Sequence, residues 1–190
     1  MDEKPQEVAC LWPTENIDDE DNLLRLVPIA KTCKIALDSV KRRIPNEASF
    51  ALRPGEEGLS MNWSKYCCEK KSLHIKGITY STSGTGFIEI SQNLIFKFPV
   101  YFLKDYGDVK HTPIGKSNPS PIGEPNNKSH SELFPHNELK MRVNLSDYCR
   151  KEYHYSFCKV DMKLIQEEVN ELRNRLNDTP YHKDWNFDEM

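Results

Sequence analysis

LIFKFPVYFL, residues 94–103, is the most apolar run in this chain of 190 residues, and its reading decides the fold. It reads as the third of three strand-like runs. Residues 74–79 and 86–91 are two shorter strand-like runs, and the links between the three are short and polar. Ser81-Thr82-Ser83-Gly84-Thr85-Gly86 and Gln92-Asn93 have the composition of hairpin connections. Pro99 offers no N–H to a ladder, so it favours a bend or an edge position within the third run. Three strands joined by hairpins form an antiparallel meander.

Working outward, Ile29, Cys33, Ala36, Val40 and Ile44 recur at helical spacing and predict a helix over 29–44, stopped by Pro45-Asn46. Residues 49–53 read as a short strand and 59–71 as a helix with Trp63, Tyr66 and Cys67 inward. Leu139, Met141, Val143 and Leu145 alternate with polar residues, the pattern of a half-buried strand. Ile165, Val169, Leu172 and Leu176 form the apolar stripe of a helix over 161–176. The order predicts an α+β domain with a mainly antiparallel sheet and helices packed on one face. The domain is placed at 22–177. An acidic, disordered N-terminal segment at 1–21 precedes it, and a mobile aromatic and acidic tail at 178–190 follows.

The chain carries a net charge of −3, so the molecule as a whole has no electrostatic bias toward nucleic acid or an anionic membrane. The charge is uneven. Residues 1–24 hold eight acids and only Lys4, whereas residues 31–76 hold ten bases, Lys41-Arg42-Arg43 among them, and five acids. Such a segment is either a solvated terminus or a strap that folds back on a basic body or docks to a partner. No run of about 18 apolar residues and no apolar leader is present, which predicts a soluble cytoplasmic protein with its six cysteines reduced. No GxGxxG or GxxxxGK[ST] loop occurs, against a Rossmann or P-loop nucleotide domain. Cys149, His154 and Cys158 lack the paired spacing of a zinc site, so neither a metal nor a cofactor is expected.

Two stretches concentrate chemistry. Arg53-Pro54-Gly55-Glu56-Glu57-Gly58-Leu59-Ser60-Met61-Asn62-Trp63 packs a guanidinium, two carboxylates and a hydroxyl between a predicted strand and a predicted helix. Ser60 suits a helix cap, and Arg53 suits an anion held by two parallel hydrogen bonds. The second stretch lies in residues 105–134, which show no regular period and read as a long loop. Within it HTPIGKSN and PSPIGEPN, residues 111–118 and 119–126, repeat Pro-Ile-Gly eight residues apart, as tandem turns serving as spacer. Asn127-Lys128-Ser129-His130-Ser131-Glu132-Leu133 follows.

Together the two stretches resemble a family of small, uncharacterised bacterial proteins that pairs an RPxExGLSxNW block with a later NPSHA block. Lys128 stands here for the proline, and Ser131 follows His130 in place of alanine. The resemblance implies that Arg53, Glu56, Gly58, Ser60, Asn62, Asn127, Ser129 and His130 act together, and it carries no mechanism. Read as chemistry, Arg53 would hold an anion and His130 would exchange a proton near neutral pH. The expectation is a binding or regulatory protein for another protein or a small anionic ligand, with no membrane role. Its recognition surface would be the 53–62 turn and the 105–134 loop, with Arg53, Glu56, Ser60, Asn62, Asn127, Ser129 and His130 as contacts. The alternative is a small enzyme on a nucleotide or phosphodiester, using Arg53 as clamp, His130 as acid or base and Glu57 as its partner. A third possibility is a component of a larger assembly, docked through the last helix.

Overall fold

The computed structural model describes residues 12–37, 39–79, 86–115 and 126–175. In chain order the elements are β1 (Asn22–Pro28), a 3-10 turn (Ile29–Lys31), β2 (Thr32–Leu37), β3 (Val40–Pro45), a second 3-10 turn (Glu47–Phe50), β4 (Leu59–Trp63) and α1 (Glu69–Ile78). They continue with β5 (Asn93–Pro99), α2 (Val100–Lys104), β6 (Gly107–His111), β7 (His130–Pro135), α3 (Glu138–Lys151), α4 (Tyr153–Ser156), β8 (Phe157–Cys158) and α5 (Met162–Arg175). Six strands form one sheet in the order β6-β7-β4-β1-β5-β8, every pairing antiparallel, and β2-β3 is a separate two-stranded hairpin. The molecule is α+β with a mainly antiparallel sheet, as its sequence predicts.

LIFKFP is a strand, but it pairs with β1 over seven residues, not with a preceding hairpin partner. Phe96 and Phe98 face one side and Ile95 the other, all fully buried, so the run is apolar because both faces of this strand are covered. Pro99 ends the strand, and α2 begins at the next residue.

The helices are divided between the two faces and are not gathered on one. Leu23, Val27, Met61 and Trp63 pack with Met141, Leu145 and Cys149 of α3, with Phe50, and with Ile44 of the hairpin. On the opposite face Leu24 and Ile95 meet Leu73 of α1 and Ile165 and Val169 of α5. α1 and α5 touch closely at Gly77, where a Cβ would lie 2.6 Å from Val169. Glu168 of α5 holds His74 at 2.8 Å and Lys70 at 2.6 Å.

Several expected elements change type. Residues 29–44 form a 3-10 turn and a hairpin: Cys33, Ile35 and Leu37 alternate with Lys34 and Ala36, and Ser39 takes a left-handed φ of 63° at the turn. Residues 59–63 are a strand with the burial alternation of one, and the helix starts later, at Glu69, so that 74–79 is mostly helix. Residues 86–91 make only a bridge at Phe87, and 49–53 only the end of a 3-10 turn. Residues 139–145 are helical. Leu139 and Val143 are exposed while Met141, Leu145 and Cys149 are buried at four-residue intervals, and Asn137 caps the start by accepting from the Lys140 N–H at 2.9 Å. The loop at 105–134 contains β6 and the start of β7, which pair with each other. The helix at 161–176 is α5.

The described part of the acidic segment, from residue 12, lies against the domain. Ile17 is buried, Glu15 pairs with Lys65 at 2.8 Å, and the Asp21 carbonyl accepts from the Val100 N–H at 2.9 Å. Most of the Pro-Ile-Gly repeat (116–125) and the tail from 176 on lie outside the described residues, as do residues 1–11.

Candidate functional site

β4 and β7 are neighbours, and their register sets Asn62 opposite His130 and Ser60 opposite Glu132. The two chemical stretches, some 65 residues apart in the chain, are therefore adjacent strands. Because side chains alternate along a strand, Ser60 and Asn62 point to one face together with His130 and Glu132, while Leu59, Met61, Trp63 and Leu133 point into the core. A groove of ≈ 540 Å³ opens over these polar residues. Ser72, Ile75 and Lys76 of α1 line it, with Thr79 just past the helix end and the turn from Arg53 to Gly58.

Arg53 sits at the rim, exposed, with its guanidinium 3.6 Å from Glu56. The Glu56 side chain also accepts from the Arg53 N–H at 2.9 Å, and the Glu56 N–H donates to the Arg53 carbonyl at 3.0 Å. Gly55, with φ of 86°, allows this tight closure. Glu56 is thus largely committed to the turn. Gly58 is held by space: a Cβ there would lie 3.0 Å from the Glu132 Cβ and 3.2 Å from Phe134.

Asn62, Asn127 and Ser129, expected as ligand contacts, chiefly bind one another. Asn62 Oδ1 accepts from Asn127 Nδ2 at 2.8 Å and Ser129 Oγ at 3.2 Å, and Asn62 Nδ2 donates to Ser72 Oγ at 3.0 Å. The single Ser129 hydroxyl proton is shared with Asn127 Oδ1, the nearer acceptor at 2.6 Å. Asn127 and Ser129 are buried. Their network fixes the loop that delivers His130 and forms the end of the groove. Ser60 is mid-strand, not a helix cap, and its carbonyl accepts from Arg25 Nη1 at 2.5 Å.

His130 is half-buried at the groove. Its Nδ1 lies 2.8 Å from the Thr112 carbonyl and 3.0 Å from Thr112 Oγ1. A carbonyl oxygen carries no proton, so Nδ1–H donates, and in the neutral ring Nε2 is left as the acceptor. The partner that orients His130 is therefore Thr112 and not Glu57, which is exposed.

Sequence reasoning missed Thr112, Ser72, Arg25 and Glu132. Glu132 follows His130 at the i+2 spacing that puts two strand residues on one face, and recognising 130–135 as a strand would have found it. Cys67, Cys149 and Cys158 are poor nucleophiles: burial pushes the Cys67 thiol up to about 11, Cys158 up to about 12 and Cys149 well above its ordinary value. Among the described residues no group of three His, Cys, Asp or Glu is placed to hold a metal ion, and no helix is long and apolar enough to cross a membrane.

No family model, no curated protein and no solved structure matches this chain.

Proposed function

We propose that this protein is a binding module that takes a small anionic ligand in the groove between α1 and the 53–58 turn. One observation carries the reading: the β4–β7 register sets the two polar stretches side by side, with Arg53 and His130 lining one groove. Arg25, Lys31, Arg53 and Lys76 supply positive charge around it, against Glu56, Glu57 and Glu132. That mixture suits a ligand with an anionic group and a hydrogen-bonding body. Arg53 meets the anion at the rim, and Ser60 and His130 receive the remainder.

Calorimetric titration with pyrophosphate tests this. Saturable binding is expected, weakened about tenfold by Arg53→Ala and by His130→Ala, each equal to about 1.4 kcal/mol. Absence of binding, or affinity that neither substitution changes, overturns the proposal.

A second reading is favoured by the His130 anchor. An imidazole held by Nδ1–H with Nε2 open to a groove is disposed as a general base, so the same site would serve a small enzyme on a nucleotide or phosphodiester. Glu57 then adds charge at the rim, and the Thr112 carbonyl takes the orienting role. Turnover of a chromogenic phosphodiester, lost in His130→Ala and following a single ionisation with pH, would favour this reading over plain binding.

A further inference from the structure

We infer that the β2–β3 hairpin is a docking surface for the backbone of duplex DNA, separate from the groove. The hairpin, residues 32–45, holds four bases, Lys34, Lys41, Arg42 and Arg43, and a single acid, Asp38. The register sorts them by face. Ile35, Leu37 and Ile44 turn to the core, and Arg42 stacks over the Tyr153 ring at 4.8 Å. Lys34, Ala36, Lys41 and Arg43 share the opposite face, with Lys34 directly across from Arg43 and Ala36 across from Lys41.

Two features make this face more than a solvated charge run. Like charges placed directly opposite one another in a sheet destabilise it, yet none of Lys34, Lys41 and Arg43 has a carboxylate partner among the described residues. Arg43 instead reaches the Thr32 hydroxyl at 3.3 Å. Among the described residues the Lys34–Arg43 pair is therefore left to solvent or to an anion from outside the chain. The shape agrees as well. A two-stranded ribbon of six residues per strand is about 20 Å long, and such a ribbon enters the major groove of B-form DNA, while the major groove of an RNA helix is too deep and narrow. Ala36 at the centre keeps the face low between the cations. The net charge of the chain hides this surface, because residues 1–24 hold eight acids and leave the remainder net positive. Val40 beside Lys41 is the one large apolar side chain of the hairpin that is exposed among the described residues, too little for a membrane-inserting surface.

The test is fluorescence anisotropy of a labelled 20-base-pair duplex with the full chain, from 20 to 200 mM salt. Binding is expected to weaken with salt at a slope close to three neutralised phosphates, about −0.9 for each. The triple substitution Lys34→Gln, Lys41→Gln, Arg43→Gln is expected to reduce affinity at the lowest salt at least tenfold and to leave pyrophosphate binding in the groove unchanged. Lys34→Glu alone provides a control for folding. It removes the repulsion with Arg43, so Tm is expected to rise while duplex affinity falls. The inference is overturned by absence of duplex binding at the lowest salt. It is equally overturned by a triple variant that binds like the parent, by a single strand that binds more tightly than the duplex, or by anionic vesicles that the chain binds more tightly than the duplex.

Discussion

Two histidines bracket the Pro-Ile-Gly stretch, and the molecule uses them in opposite ways. His111, at the end of β6, is buried between the rings of Trp63 and Tyr66, with centroids 5.1 Å and 6.0 Å away. Its Nε2 lies 2.6 Å from the Lys128 carbonyl and must donate to it, and its Nδ1 accepts from the Glu15 N–H at 3.1 Å. Both nitrogens are spent, and burial holds its pKa below the ordinary value. His130, at the start of β7, spends Nδ1 on Thr112, has no hydrogen bond on Nε2 among the described residues, and lines the groove. The same side chain is pinned through both nitrogens at one site and through one at the other. The difference lies in how many of its two nitrogens the backbone has already taken.

The largest expected effect breaks the sealed end. His111→Ala leaves the Lys128 carbonyl and the Glu15 N–H without partners and opens a cavity beside Trp63. Unfolding by denaturant should show a loss of about 3 kcal/mol, against less than about 1 kcal/mol for His130→Ala. Equal losses would erase the contrast. Asn62→Ala should rank second, at about 2 kcal/mol, because Asn127 Nδ2 loses its acceptor and Ser72 Oγ the donor that Asn62 supplies.

Acid should loosen the sealed end first. The folded state keeps His111 neutral, so as pH falls below about 6.5 the unfolded chain takes up a proton that the native state resists. Stability is full above that pH and declines below it. Glu15 adds a later step. Its carboxylate is held down to about 2, mainly by Lys65 and by the Tyr66 hydroxyl, so its stabilisation is present above about 4.5 and lost as pH falls toward 2. Thermal melts at stepped pH should show a smaller first decline in His111→Gln than in the parent, the remainder coming from His74, whose pKa burial also holds below the ordinary value. The smallest effect belongs to the rim. Arg53→Ala removes an exposed pair and should change stability by less than about 0.5 kcal/mol while weakening pyrophosphate binding.

The contrast also marks what could be read from the amino-acid order. Amphipathic α5 was legible because its stripe has only one period, and the class of fold followed from the balance of helical and strand patterns. The hairpin at 32–45 was not, because Cys33, Ala36 and Val40 fit a helical spacing while Cys33, Ile35 and Leu37 fit a strand, and only the turn at Ser39 separates the two. α3 failed in reverse, since exposed Leu139 and Val143 imitate alternation. The candidate residues Arg53, Ser60 and His130 were legible by chemical type. Asn62, Asn127 and Ser129 were legible as a group, but their mutual bonding depends on a strand register that no local pattern encodes. His111 passed as the edge of a spacer, because the acceptor and donor that seal it come from residues 17 and 96 positions away.

The most direct test is nitrogen-detected NMR of the two imidazole rings near pH 7.5, followed by titration with pyrophosphate. The account predicts opposite tautomers, Nε2–H for His111 and Nδ1–H for His130, with the ligand shifting His130 and leaving His111 unmoved. Identical tautomers, or a ligand that shifts His111 and not His130, would contradict it.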